Sequence, residues 1–265
     1  MHAPPLDDAD LARAVEIARA AARTAGSYLI GTLGNTHVAY TKAPLDDVFD
    51  VDLESERIIL SQLQAEFPTF GILSEEAGEQ RQGAAYRWIV DPLDGSVNFQ
   101  HGVPTFAVPI ALASAEMVLA GVIYLPATDE EFIAIRGRGA SRNGESIAVS
   151  PVTSLASAVV HIGELERMGP RQVSMRQLDE LCGVAHRAKR IRLMGSSAVD
   201  LALVACGRAD ALIMHGGHPW DVDAGALLLR EAGGSVSTVR YDDAALTVYS
   251  NGGIHAELLD ALGAS

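Results

Sequence analysis

The chain has little cysteine: Cys182 and Cys206 stand alone in 265 residues, in no CxxC or Cys/His array. That excludes a disulfide framework and a thiolate zinc site, and both are expected to be small core residues in a reducing compartment. Positive charge is also scarce, with 20 lysines and arginines against 34 aspartates and glutamates, a formal charge of −14. A general nucleic-acid binder needs a basic stripe and an anionic membrane surface attracts one, so neither partner is expected. An anionic substrate would need positive charge from elsewhere, and metal ions are one source. The opening residues MHAPPLDDAD hold no basic segment followed by an apolar run, so no secretory signal is read and a cytoplasmic protein is expected. Repeats, low-complexity tracts and linkers are missing, as is the EF-hand spacing of a calcium module.

What is present suits a well-buried globular core, with 48% apolar residues. Thr105 to Pro126 (TFAVPIALASAEMVLAGVIYLP) is long enough to span a bilayer. Pro109 and Glu116 interrupt it, however, and Ser114-Ala115-Glu116 reads as a turn, so two buried strands are expected. Leu11, Val15, Ala18, Ala22, Ala25 and Leu29 mark an amphipathic helix ending near Gly31 or Gly34. A second helix fits Asp52 to Phe67, with Leu53, Leu60, Leu63 and Phe67 on one face, Asp52 in a capping position and Pro68 as its stop.

Strands are expected at Phe70 to Leu73, Arg87 to Val90, Phe106 to Ala113, Met117 to Tyr124 and Glu131 to Ile135, with a turn at Asn143-Gly144. Strands at Ala158 to Ile162, Ile191 to Leu193 and Ala211 to Met214 then alternate with helices at Ser174 to Cys182, Ser196 to Cys206 and Trp220 to Ala232. The fold class is therefore α/β, one domain over residues 1–265 with an α+β subdomain of about 1–147 and an α/β subdomain of about 148–265 sharing a cleft.

The segment Trp88 to Phe99, WIVDPLDGSVNF, sets two carboxylates close together. A strand ending at Val90 would place Asp91 at its carboxyl end, Pro92 would stop ladder pairing, and Asp94-Gly95-Ser96 would turn the chain into a helix whose N–H groups suit an anion. In isolation, PLDG is an ordinary turn and Asp94 an ordinary cap. Three further segments repeat the theme: Ser74-Glu75-Glu76 after a strand, Pro219-Trp220-Asp221 at a helix start, and the acidic loop KAPLDDVFDVD, Lys42 to Asp52. Each has its own bland reading: Glu75 solvated, Asp221 an N-cap, Asp46, Asp47 and Asp50 a surface loop. Acidic residues at strand ends or helix starts in all four are harder to dismiss.

SEEAG (Ser74 to Gly78), WIVDPLDGSVNF, GSSAVDLALVACGRAD (Gly195 to Asp210) and HPWDVDAGALLLREAGG (His218 to Gly234) together resemble the inositol monophosphatases, lithium-sensitive, magnesium-dependent phosphomonoesterases, from Lys42 to the C-terminal helix. The resemblance implies a layered αβαβα sugar-phosphatase fold and a homodimer. It also implies two to three Mg²⁺ ions: Glu75, Asp91 and the Leu93 carbonyl on the first, Asp91, Asp94 and Asp221 on the second, and Glu75 with waters on a third near Lys42. Most ligands then fall in the first subdomain. Hard oxygen donors are what Mg²⁺ takes, so His218 is read as a packing or outer residue. Four carboxylates supply roughly −4 and a phosphate monoester roughly −2, against roughly +6 from three Mg²⁺, so the site is near neutral only when full.

By the same resemblance the reaction is direct in-line hydrolysis by a metal-activated water, without a phospho-enzyme. The family's Thr and Asp that orient this water correspond to Ser96 and Asp52, Ser keeping the hydroxyl, and Glu75 shares the catalytic role. Asp94, Gly95, Ser96, Ser197, Met214 and Asp221 are the expected substrate contacts. Met214 stands where inositol-hydrolysing relatives carry a Glu that binds substrate hydroxyls. Inositol 1-phosphate or a related sugar phosphate is the expected substrate, with nucleoside monophosphate, histidinol phosphate or fructose bisphosphate as the specialised alternative. A catalytically weak metal-binding interaction protein is the alternative of another class.

Overall fold

The computed structural model describes residues 6–43, 46–163, 175–240 and 245–263. Helix α1 (Asp8–Thr32) starts where Asp7 accepts the Asp10 N–H at 2.7 Å, and it buries Ala14, Ala18, Ala22, Ala25 and Leu29 along one stripe. It packs on α2 (Asp50–Glu66). Between them β1 (Val38–Ala43) and β2 (Asp46–Phe49) pair antiparallel where an acidic loop is expected; residues 44 and 45 lie outside the described residues. Acidic residues in β2 hide the apolar alternation that marks a strand.

The larger sheet is built from β3 (Gly71–Ser74), β4 (Gly78–Gln80), β5 (Tyr86–Val90), β6 (Val108–Ser114), β7 (Val118–Leu125), β8 (Glu130–Ile135), β9 (Ala140–Arg142) and β10 (Glu145–Ser146). Its order is β10-β9-β8-β7-β6-β5-β3-β4, antiparallel except for the β3/β5 pair. A short helix, α3 (Ser96–Gln100), leaves between β5 and β6. The long apolar stretch is the β6-β7 hairpin, and no helix among the described residues is long and apolar enough to cross a membrane. Asn143 and Gly144, at φ 50° and 82°, make the turn between β9 and β10.

The second sheet holds β11 (Val159–Ile162), β12 (Arg190–Arg192), β13 (Ala211–His215), β14 (Ser235–Arg240) and β15 (Ala245–Ser250), in the order β12-β11-β13-β15-β14. Its parallel strands are joined through α4 (Met175–Arg187) and α5 (Ser197–Ala205), and α6 (Pro219–Glu231) leads on to β14. The β14-β15 hairpin has no counterpart among the expected elements, and the sheet is mixed because that hairpin enters antiparallel to β13; α7 (His255–Ala261) closes the described chain. The expected first residue of α4, Ser174, lies outside the described residues.

The layers run α1/α2, larger sheet, α5/α6, smaller sheet, α4/α7, an αβαβα order. Strand β5 shows how the period of two builds it: Trp88 and Val90 face the α1/α2 core, while Ile89 faces the core around α5 and α6. Strand β11 repeats this, with Val160 and Ile162 in the α4/α7 core. The cysteines depart from expectation: Cys182 is exposed on α4 and Cys206 half-buried after α5, both free. A helix of the outer layer spends part of its circumference on solvent, and Cys182 falls there.

Candidate metal and phosphate site

Strands β3 and β5 lie side by side with Ser74 opposite Val90, and the Glu75 N–H donates to the Val90 carbonyl at 3.2 Å. Glu75 and Asp91 therefore leave the same edge of the sheet together. The Pro92 carbonyl accepts the buried Ser55 hydroxyl at 2.6 Å, which fastens the turn to α2. Asp91 Oδ1 accepts the Leu93 N–H at 2.9 Å, and Asp94 exchanges two backbone hydrogen bonds with Ala107. Gly95 then takes φ 91°, and a Cβ there would sit 2.9 Å from the Thr105 carbonyl oxygen, so only glycine fits.

Asp94 is gripped from the other half of the chain. Its Oδ2 accepts the Ala198 N–H at 2.7 Å and the Ser196 hydroxyl, and its Oδ1 accepts the Ser197 N–H at 3.3 Å. These donors sit at the start of α5, where Ser196 is the N-cap. Asp221, at the third position of α6, accepts the His218 N–H at 2.7 Å. His218 itself is exposed and stacks on Trp220 with ring centroids 4.5 Å apart.

Electrostatics ties these carboxylates together. Burial pushes the Asp91 carboxyl well above the usual range, and repulsion from Glu75, Asp94 and Asp221 adds to it. Burial pushes Asp94 up to about 7, with the Ser196 hydroxyl opposing and Asp221 adding. Glu75 is raised by burial, opposed by Lys42, with Glu76 and Asp221 adding. Among the described residues no group of three or more His, Cys, Asp or Glu forms a ready-made metal cage. The interacting groups are nonetheless all carboxylates, and a hard divalent cation would relieve the repulsion that burial intensifies.

Asp52 is 4% exposed, and its Oδ2 accepts the Phe49 N–H at 2.7 Å. Burial raises its carboxyl to about 7, opposed by that N–H, with Glu76 and Glu75 adding. The Ser96 side chain is half-buried at the start of α3, and its hydroxyl makes no hydrogen bond with Asp52 or any other described residue. Lys42 Nζ lies 3.2 Å from Glu75 Oε1 and 2.7 Å from Glu76 Oε1. Met214, an expected substrate contact, is buried at 7% exposure. It packs with the α5/α6 core, its Cε where a Cβ on Gly217 would come within 2.8 Å.

Several supports went unread in the sequence. Glu56 accepts the Ser74 hydroxyl and the Ala77 N–H, and so shapes the loop that carries Glu75. Its signal was a carboxylate on the buried stripe of α2, one helical turn after Asp52. Asn98 Nδ2 donates to the Thr105 carbonyl at 2.8 Å and the Met194 carbonyl at 2.7 Å, joining the Gly95 turn to the approach of α5. Ser196 had no signal beyond its capping residue type.

The profile of the Inositol monophosphatase family matches residues 10–264. An inositol-1-monophosphatase of Mesorhizobium japonicum is 40% identical over 227 residues, 85% of this chain and 83% of that protein. The Nus factor SuhB of Pseudomonas aeruginosa is 39% identical over 228 residues, 84% of each. The crystal structure of the extragenic suppressor protein suhB from Bartonella henselae is similar with a TM-score of 0.86 at 37% identity, covering 94% of this chain and 97% of that one.

Proposed function

Because the chain belongs to the inositol monophosphatase family and is thus a phosphoric monoester hydrolase, we propose that it hydrolyses a small phosphate monoester, inositol 1-phosphate or a related sugar phosphate, with Mg²⁺ as cofactor. The observation that carries this reading is that Glu75 and Asp91 leave adjacent strand ends and that the buried Asp91 carboxyl feels the charges of Glu75, Asp94 and Asp221. Glu75, Asp91, the Leu93 carbonyl, Asp94 and Asp221 would hold about two to three ions. When bound, Mg²⁺ would neutralise the phosphoryl oxygens, acidify a water and stabilise the departing alkoxide.

The chain's own groups do the rest. Asp52 spends Oδ2 on the Phe49 N–H and keeps Oδ1 to take a proton, with a carboxyl raised to about 7. The half-buried Ser96 hydroxyl, free of protein partners among the described residues, orients the attacking water, and Asp52 acts on it through that water rather than directly. Gly95 and Ser96 open α3, whose first N–H groups suit a phosphoryl oxygen. Lys42 balances Glu75 and Glu76 at the margin.

Met214, enclosed in the α5/α6 core, leaves position 214 without the carboxylate that would bind a polyol hydroxyl. Modest activity over several sugar and inositol phosphates follows, with a nucleoside phosphate as the specialised option. Phosphate release from a panel of monoesters, with Mg²⁺ and with chelator, tests the reading; no release from any member in Mg²⁺ sinks it. With a relative named Nus factor SuhB, a catalytically weak metal-binding interaction protein is the second reading, and turnover of the wild type in Mg²⁺ that Asp94→Asn abolishes decides against it.

A further inference from the structure

One buried polar pair has no part in the chemistry above. His161, on the inner strand β11, is 3% exposed, and Asp200, in the first turn of α5, is 1% exposed. The His161 Nδ1–H donates to Asp200 Oδ1 across 2.6 Å. Two polar groups are thus buried inside an apolar layer where Leu201, Ala202 and Leu212 already supply hydrophobic contact. Replacing such a pair by apolar residues is often neutral for stability, so its stability value alone does not explain it.

Its position does. The Asp200 N–H donates to the Ser196 carbonyl at 3.0 Å, so the pair sits one turn from the donors that grip Asp94. Of those, Ala198 reaches Asp94 at 2.7 Å and Ser197 at 3.3 Å. A hydrogen bond is lost beyond about 3.5 Å, so an α5 shift of well under an ångström breaks the second and a slightly larger one the first. The rest of α5 is packed by small and aliphatic side chains, with Leu201 seated against Gly225 of α6, and these fix the helix on α6 without a directional contact to β11.

We propose that His161 and Asp200 are positioning residues for Asp94, pinning α5 to β11 so that the Ser196, Ser197 and Ala198 donors hold one carboxylate orientation toward the cation. The inference rests on Asp94 being a cation ligand. Partners behind a ligand set its orientation, and removing them typically weakens metal binding by about 10–100-fold.

The test measures Mn²⁺ binding by electron paramagnetic resonance, without substrate, alongside melting temperature, kcat and KM. The double variant His161→Leu/Asp200→Leu removes the pair while keeping the layer apolar, and should bind Mn²⁺ about tenfold or more weaker and lose kcat more than KM rises. Asp200→Asn can still accept the His161 proton and should stay within about threefold of wild type. A folded double variant with wild-type Mn²⁺ affinity overturns the proposal, as does an equal loss in Asp200→Asn. If the double variant does not fold, Asp200→Ser, too short to reach His161, decides by the same measurement. Unchanged affinity in Asp94→Asn would overturn the ligand reading and this inference with it; loss there without loss in the Asp200 variants overturns this inference alone.

Discussion

Asp52 and Asp221 hold the same place in two different helices. Each is the third residue, Asp52 of α2 and Asp221 of α6, and each accepts the N–H of the residue before its helix, from Phe49 and His218, at 2.7 Å. Capping engages one oxygen of each carboxylate and fixes its rotamer. A carboxylate in a capping geometry is therefore equally suited to the site, and the two roles coincide.

Asp94→Asn should fold normally, because an amide oxygen can still accept the Ala198 N–H and the Ser196 hydroxyl. It removes a charged donor, so phosphate release should fall by more than the roughly 10–100-fold typical of an outer-shell change. Unchanged turnover at unchanged melting temperature would remove Asp94 from the site.

Ser96→Ala and Asp52→Asn should each lower kcat far more than they raise KM. The double variant should be little worse than either, as for residues that act as a unit on one water. Multiplicative losses would mean that Asp52 is chiefly the partner of the Phe49 N–H.

The metal-free protein should lose stability as pH rises. Asp52 and Asp94 are raised to about 7 when folded, against about 3.9 when unfolded. The folded state binds more protons at these two carboxyls between those values, so their contribution to stability is full below about pH 4 and is lost toward pH 7. Mg²⁺ should flatten the melting profile over that window, and binding at pH 6 should release protons in calorimetry. A metal-free melting temperature that climbs from pH 5 to 7.5 contradicts this.

Met214→Glu should lower the melting temperature, because Met214 packs against Gly163 and Gly217 and a carboxylate there is buried without a partner. It should also shift kcat/KM toward inositol 1-phosphate relative to a nucleoside monophosphate. Unaltered stability and unaltered preference would place Met214 outside both the packing and the leaving-group side.

Li⁺ in the millimolar range, and excess Mg²⁺, should inhibit turnover if product release depends on departure of a cation. Indifference to both would show that the site releases product by another route, while leaving hydrolysis itself untouched.

Much of this was legible in the order of residues. Apolar periodicity gave α1, α2 and the β6-β7 hairpin because each buries one face or both along a regular repeat. Asp91, Asp94, Glu75 and Asp221 stood out because carboxylates at strand ends and helix starts are unusual in company. Elements with an interrupted apolar pattern were lost: β1 and β2 carry charges, and the short strand β10 has only two residues. No local signal could tell a strand parallel to its neighbour from one antiparallel, so the β14-β15 hairpin and the mixed second sheet belong to the tertiary structure.

The tertiary structure also decided which residues meet. Sequence placed Ser196 far from Asp94, and only the stacking of α5 between the two sheets brings its donors onto that carboxylate. It set Glu56 beneath the Glu75 loop and sealed Met214 inside the α5/α6 core, because both contacts join segments distant in the chain that meet only when the layers stack. The carboxylates are chemistry written in the chain; their raised pKa values are not, since burial and the approach of distant charges exist only once the layers have closed.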